Sequence, residues 1–232
     1  MDASHLAAFI IIVAGMLVSM LKKKLTTGAA LTGGLLAMVI FWGAGFTGIA
    51  LLAAFFILGV AATAWKLNTK IKEGIAEDKL GKRNTGQVFA NAGAAAILAV
   101  LAKYDPGAAG ILHLMIAGCF SASTADTLSS ELGNVYGKRY YHMLSFAKMQ
   151  RGANGAVSLA GTVAGITGSA VMASIYVWAQ HFLIIIIAGT AGNVADSLLG
   201  LTLENKRLLT NNAVNFLNTA AGAVAAGVLY KL

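Results

Sequence analysis

The chain alternates long apolar runs with short polar connectors, most of them basic. Crossing the hydrocarbon core of a bilayer takes roughly 17–25 predominantly apolar residues in helical form. Eight runs approach that requirement: 4–21, 26–43, 47–65, 86–102, 108–132, 154–177, 182–202 and 211–230. The pattern predicts an all-α, polytopic transmembrane helix bundle forming one domain over residues 1–232, with both termini on the outer side. The second and third runs are the least distinct. Only Gly43-Ala44-Gly45 separates them, a stretch suited to a turn because glycine adopts backbone conformations closed to other residues.

The polar residues inside the runs are not scattered. The fifth run ends in Ser121-Ala-Ser-Thr-Ala-Asp126-Thr-Leu-Ser-Ser-Glu131-Leu-Gly133, and the seventh in Gly189-Thr-Ala-Gly-Asn193-Val-Ala-Asp196-Ser-Leu-Leu-Gly200-Leu-Thr-Leu-Glu204. Both carry Ala-Asp-(Thr/Ser)-Leu with a Glu several residues on. An ionisable side chain at membrane depth is costly and marks function by default. At helical spacing, Asn84, Gln87 and Asn91 share a face, as do Asn154, Ser158, Gly161 and Gly165, and Asn211, Asn215, Asn218 and Gly222. Such stripes belong inside a bundle, not against lipid. Singly, each Asn is equally well explained by a hydrogen bond between helices, and Gly161-x-x-x-Gly165 by close helix packing.

Composition supports the membrane assignment. The chain is 58% hydrophobic and 11% charged, against about 25% charged in soluble domains. The single Cys119 excludes an intrachain disulfide and, lying in an apolar run, reads as a small buried hydrophobe. A formal charge of +8 would suit nucleic acid, but its distribution assigns it to the bilayer. With the N-terminus outside, connectors 22–25, 66–85, 133–153 and 203–210 are cytoplasmic and hold all but Lys103 and Lys231 of the 17 Lys and Arg residues, as the positive-inside rule requires. Trp42 and Trp178 fall at the outer interface and Trp65 at the inner one. Asp2 before the first run and Lys22-Lys23-Lys24 after it reverse the charge order of a cleavable signal peptide, so that run predicts a membrane helix. Connector 66–85, which mixes Lys with Glu73, Glu77 and Asp78, reads as a short surface helix or a solvated link. Connector 133–153, with Tyr136, Tyr140, Tyr141 and His142, reads as a cover over the inner face, and His142 has no neighbouring His or Cys at metal-ligand spacing.

Chain direction brings the polar groups to one side. Runs four, six and eight start at the cytoplasmic face, where free N–H groups and the helix dipole favour anions, beside Arg83, Arg151 and Arg207. Runs five and seven end there with Asp126, Glu131, Asp196 and Glu204. This environment suits polyphosphate with Mg²⁺, which takes one or two carboxylates and completes its shell with phosphate oxygens and water. Asp126 and Asp196 are the leading metal-binding or catalytic pair. Glu131 and Glu204 are further candidates, and Asn84, Asn91, Asn154, Asn193, Ser197, Asn211 and Asn215 are candidate binding groups. Asp126 and Glu131 lie about 140° apart round a straight helix, so they share a ligand only if the helix distorts or ends there. Two other readings compete. The acids pair with the arginines merely to knit the bundle, or the echoed acids serve an ion-coupled transporter. Against the transporter, the outer half of run seven, Phe182-Leu-Ile-Ile-Ile-Ile187, is wholly apolar.

The Asp126-to-Gly133 block, the Gly155-Ala-Val-Ser-Leu-Ala-Gly-Thr162 run and Asp196-Ser-Leu-Leu-Gly200 resemble signature blocks of the phytyl-phosphate kinase family, which includes transmembrane protein 19-like proteins. Gln87-Val-Phe-Ala-Asn91-Ala-Gly93 and Asn215-Phe-Leu-Asn218-Thr-Ala-Ala-Gly222 are also similar to family blocks. The resemblance covers most of the chain. It implies a membrane kinase that converts an isoprenoid monophosphate, such as phytyl or polyprenyl phosphate, to the diphosphate with a nucleoside triphosphate, CTP being the expected donor. It carries the acidic site onto Asp126, Glu131 and Asp196. The family often has Pro and Gly-Thr before the Gly-Ala-Val-Ser block, where this chain has Arg151-Gly-Ala-Asn154, and Gln where this chain has Glu204. No P-loop or protein-kinase glycine motif is present, so the nucleotide site is of another type. A homodimer is left open.

Overall fold

A computed structural model describes residues 2–76, 82–176 and 179–232. The architecture is the expected all-α membrane bundle: α1 (Ala3–Leu21), α2 (Thr27–Ala64), the short α3 (Leu67–Lys72), α4 (Thr85–Tyr104), α5 (Ala109–Tyr136), α6 (Leu159–Ile175), α7 (Phe182–Leu199) and α8 (Asn211–Tyr230). A two-residue antiparallel pairing of Tyr141–His142 (β1) with Ala156–Val157 (β2) lies between α5 and α6. Trp178, Glu77, Asp78 and Lys79 lie outside the described residues.

The second and third predicted runs are the two limbs of α2. Its 38 residues would stretch about 57 Å as a straight helix, nearly twice the hydrocarbon thickness. Instead the chain folds back at Gly45, whose φ of 60° and ψ of −153° fall in a region essentially restricted to glycine. The fold-back is visible in the packing. Phe56 of the second limb lies against Ala29 and Ala30 of the first, and Ile49 clusters with Ala37 and Phe41. The sixth run begins later than expected. Residues 154–158 are extended or turn, Ser158 caps α6 by accepting from the Gly161 N–H, and the helix spans only 17 residues.

Helix α5 is the axis of the bundle, packed against α2, α4, α6, α7 and α8. Its middle is apolar and fully enclosed: Ile116, Cys119 and Phe120 meet Met172 of α6, Ile185 of α7 and Ala226 of α8. Cys119 is therefore the buried hydrophobe that its setting suggested. Small residues bring α5 and α8 together. A Cβ on Gly222 would stand 2.6 Å from the Gly118 carbonyl oxygen, a separation that excludes any side chain.

The connectors meet at one end. Arg83 N–H donates to Lys24 O and Thr26 N–H to Arg83 O, joining the link before α4 to the link after α1. Arg151 pairs with Glu73 at 2.7 Å, bringing the two longest connectors together. Trp65 Nε1 donates to the Tyr136 hydroxyl at 2.8 Å, and Lys66 sits over the same ring at 5.2 Å. This end carries the basic connectors, while the opposite end carries Lys103 stacked over Trp42.

Candidate functional site

Beneath the clasped connectors lies a polar cavity of about 510 Å³, walled by α4, α5, α7 and α8 and by the turn before α6. Parallel helices α5 and α7 deliver the two echoed aspartates to it, and the Asp126 and Asp196 carboxyls stand within hydrogen-bonding reach of each other. Two carboxylates that close repel unless a proton or a cation lies between them. Asn218, fully buried on α8, donates from Nδ2 to Asp196 Oδ1 at 3.4 Å, and its own Oδ1 is enclosed without a partner among the described residues. After Leu199 the α7 helix widens into a π-turn, Gly200–Glu204, a distortion frequent at functional sites. That turn keeps Glu204 on the cavity wall, close enough for its charge to act on Asp196.

Most of the predicted binding residues converge here. Asn91, Asn154, Asn193, Ser197, Asn211 and Asn215 all line the cavity, as does Arg83. Thr210 caps α8 by accepting from Ala213 N–H, so the helix begins at Asn211 on the cavity rim. The Arg83 guanidinium lies 5.1 Å over the Phe55 ring, which holds its stem against the second limb of α2 while the backbone is pinned to the connector after α1.

Four predicted residues have other positions or partners. Asn84 is spent on a capping box with Gln87, each side chain taking the other's backbone N–H, and does not reach the cavity. Arg151 turns away to Glu73. Arg207 is exposed on a left-handed turn with φ 59°. Glu131 borders the cavity, but its carboxylate receives Lys70 Nζ at 2.5 Å, both side chains being buried. The reason is helical phase. Helix α5 runs unbroken to Tyr136, so the 140° between Asp126 and Glu131 is preserved and Glu131 faces α3. Lys70 also donates to Ala62 O and Thr63 O, placing a cation on the last turn of α2, where the helix dipole favours it.

Sequence reasoning missed Lys70 because a lysine in a basic connector ordinarily faces water, and no spacing sets it apart from Lys66 or Lys72. Lys82 and Tyr140 also line the cavity without having been singled out for it. The Tyr140 hydroxyl donates to Gly133 O and Gly137 O, and burial pushes it above the usual phenol range.

Among the described residues no three His, Cys, Asp or Glu side chains converge as a preformed metal centre. The Asp126–Asp196 pair does fit Mg²⁺ held jointly with a phosphate ligand, because that ion commonly uses only one or two protein carboxylates. Glu131 borders the same cavity with its carboxylate already paired to Lys70.

Long apolar helices around a polar, acid-floored cavity open at one end define an integral membrane protein with an internal polar site. Residues 10–223 match the integral membrane protein DUF92 family, and the chain belongs to that family, the one its acidic blocks resemble. It is 33% identical over 193 residues to Protein VTE6, chloroplastic, of Arabidopsis thaliana, covering 78% of this chain and 58% of the plant protein. The chain thus spans little more than half the length of that relative. It is 34% identical over 218 residues to the uncharacterized membrane protein sll0875 of Synechocystis, covering 90% of this chain and 84% of that protein. With the uncharacterized membrane protein MJ0933 of Methanocaldococcus jannaschii it shares 29% over 226 residues, 95% and 92% of the two chains. No solved structure matches.

Proposed function

We propose that this protein is a membrane-embedded kinase that transfers a phosphoryl group from a nucleoside triphosphate, CTP being the expected donor, to an isoprenoid monophosphate. The observation that carries the reading is the Asp126–Asp196 pair at the floor of a cavity whose rim bears Lys82, Arg83, Gln87 and the start of α8. Membership of a family resembling the phytyl-phosphate kinases supports it.

Phosphoryl transfer needs positioning and charge neutralisation more than covalent chemistry. An oxygen of the acceptor phosphate forms a bond to the terminal phosphorus of the nucleotide, the bond to the bridging oxygen breaks, and the nucleoside diphosphate leaves. Magnesium, when bound, would neutralise phosphate charge between the two reacting groups. Asp126 and Asp196 would hold it, with Asn218 fixing the Asp196 rotamer. Arg83 and Lys82 would bind the phosphates, and the amides of Asn91, Asn193, Asn211 and Asn215 would orient them. The connectors clasped by Arg151 and Glu73 would exclude water, with the basic end and its cavity facing the cytoplasm.

An ion-coupled carrier fits less well. Beyond the aspartates the bundle interior is packed by Phe120, Met172 and Ile185, each fully buried, whereas a carrier places its site near the midplane with access alternating to both sides.

The test is transfer of label from γ-labelled CTP, ATP, GTP and UTP to short and long isoprenyl monophosphates by purified protein in detergent with Mg²⁺. Diphosphate product that falls by about 10²–10³ or more in Asp126→Asn and Asp196→Asn, the scale of losing one preorganised electrostatic contact, supports the reading. Folded wild-type protein giving no product across the panel overturns it.

A further inference from the structure

The polar cavity accounts for a phosphate but not for the apolar chain attached to it. A second hollow of about 580 Å³ lies on the other side of the α5–α6 seam, lined by Leu128, Leu132 and Tyr136 of α5 and by Leu159, Ala160 and Val163 of α6, among others. We propose that this groove holds the isoprenoid chain of an acceptor whose phosphate lies in the polar cavity. The inference rests on the kinase reading of that cavity.

Helical phase makes the two spaces neighbours. On α5, Leu128, Leu132 and Tyr136 recur every fourth residue and form one stripe, while Ser129 and Gly133, one residue on from the first two, face the cavity. On α6, Ser158 lines the cavity and Leu159 the groove. The partition between them is thin. A Cβ on Gly161 would stand 2.7 Å from Ser129 O, and one on Gly133 would stand 3.0 Å from the Gly161 Cα, so the helices touch backbone to backbone. The seam is therefore closed at these glycines, and the route from head to chain runs round the start of α6, where Ser158 borders the cavity and Leu159 the groove.

Helix length supplies the lateral entrance. Helix α6 has 17 residues, about 25 Å, short of the roughly 30 Å hydrocarbon core. Helix α5 has 28 residues, about 42 Å. With α5 spanning fully, α6 is too short to do the same, and at its N-terminus Ser158 borders the polar cavity while Leu159 is 80% exposed. From Leu128 to Tyr136 the groove runs roughly 12 Å along the helix axis, open along its length to the apolar phase. Anionic head and apolar chain thus each meet matching surface, the head near Lys82 and Arg83 and the chain on leucine, alanine and valine.

The experiment uses full-length protein in nanodiscs and a farnesyl phosphate analogue carrying a diazirine at the end of its chain, with nucleotide omitted so that binding is read independently of turnover. Photolabel on peptides 128–136 and 159–167, displaced by farnesyl phosphate but not by phosphatidic acid, is the expected result. Equal displacement by phosphatidic acid overturns the assignment, because the groove is then a general lipid contact. Label confined to other helices, or crosslinks between two copies through these peptides, also overturns it. In parallel, Ala160→Trp and Ala164→Phe fill the groove without lining the polar cavity. They should raise KM for farnesyl phosphate by about tenfold, the contact of roughly two buried methylenes, with KM for dimethylallyl phosphate and for nucleotide unchanged. Equal losses on both acceptors refute the groove while leaving the kinase reading intact. Absence of all turnover in wild type refutes the kinase reading, and the photolabel still reports on the groove.

Discussion

The ion pair between Lys70 and Glu131 separates a structural role for Glu131 from a metal-binding one. Each side chain is almost wholly buried, and Lys70 Nζ is held by Glu131, Ala62 O and Thr63 O. Replacing one partner leaves the other charged and enclosed, which costs about 3–5 kcal/mol. A protein of this size loses roughly 2–4 °C in Tm per kcal/mol, so Lys70→Met and Glu131→Gln should each lower Tm by about 6–20 °C. Replacing both, as Lys70→Met with Glu131→Leu, removes the charges together and returns most of that loss, because a well-packed apolar pair at a buried site is about neutral relative to the ion pair. Thermal unfolding in detergent, followed by tryptophan fluorescence, measures all the variants, with the Glu131→Leu single variant completing the double-mutant cycle. The same preparations are assayed for phosphoryl transfer at several Mg²⁺ concentrations. If Glu131 anchors α3 to α5, the double variant keeps its Mg²⁺ dependence and most of its turnover below its own Tm. Normal Tm in Glu131→Gln, combined with a demand for much higher Mg²⁺, would refute the reasoning and return Glu131 to the metal site.

Other expectations follow from single contacts. Gly45→Val forces a branched residue into the glycine-only region of the α2 turn and should destabilise by about 1–3 kcal/mol, read as a lower Tm, whereas Gly15→Ala, with open space around it, should not. Gly222→Leu drives a side chain into the Gly118 carbonyl and should give protein that fails to reach a monodisperse state, since overpacking at a backbone contact exceeds the usual 1–3 kcal/mol; normal gel filtration would contradict this. Arg151→Ala breaks a half-exposed pair with Glu73 and should change stability by no more than about 1 kcal/mol, yet raise nucleotide KM if the clasp closes the cavity. Tyr140 contributes stability fully below its unfolded pKa of 10.0. That contribution should fall as pH rises through its raised folded value, and Tyr140→Phe should flatten the alkaline limb of Tm against pH. Single cysteines introduced at Lys138 and Lys103 in a Cys119→Ala background should label from opposite sides of the membrane, with Lys138 on the cytoplasmic side.

Much of this protein is legible from its residues one by one. Apolar runs of spanning length force helices, because lipid satisfies no backbone hydrogen bond, and the clustered lysines and arginines sort the connectors onto one end. The echo of Asp126 and Asp196, with Asn91, Asn193, Asn211 and Asn215 at helical spacing, marks the faces that meet, since chain direction and helical period are both local properties. What the chain alone left open depends on distances between segments far apart in sequence. Whether Asp126 finds Glu131 or Asp196 is decided by the unbroken phase of α5 and by the position of α7. Lys70 became a buried partner 61 residues from Glu131 only because α3 folds under the end of α2. Asn84 and Arg151 were claimed by nearer partners that hydropathy does not register. The groove beside the cavity exists because α6 starts late and presents glycine to α5. Periodicity names the face a residue occupies; only packing decides what stands opposite it.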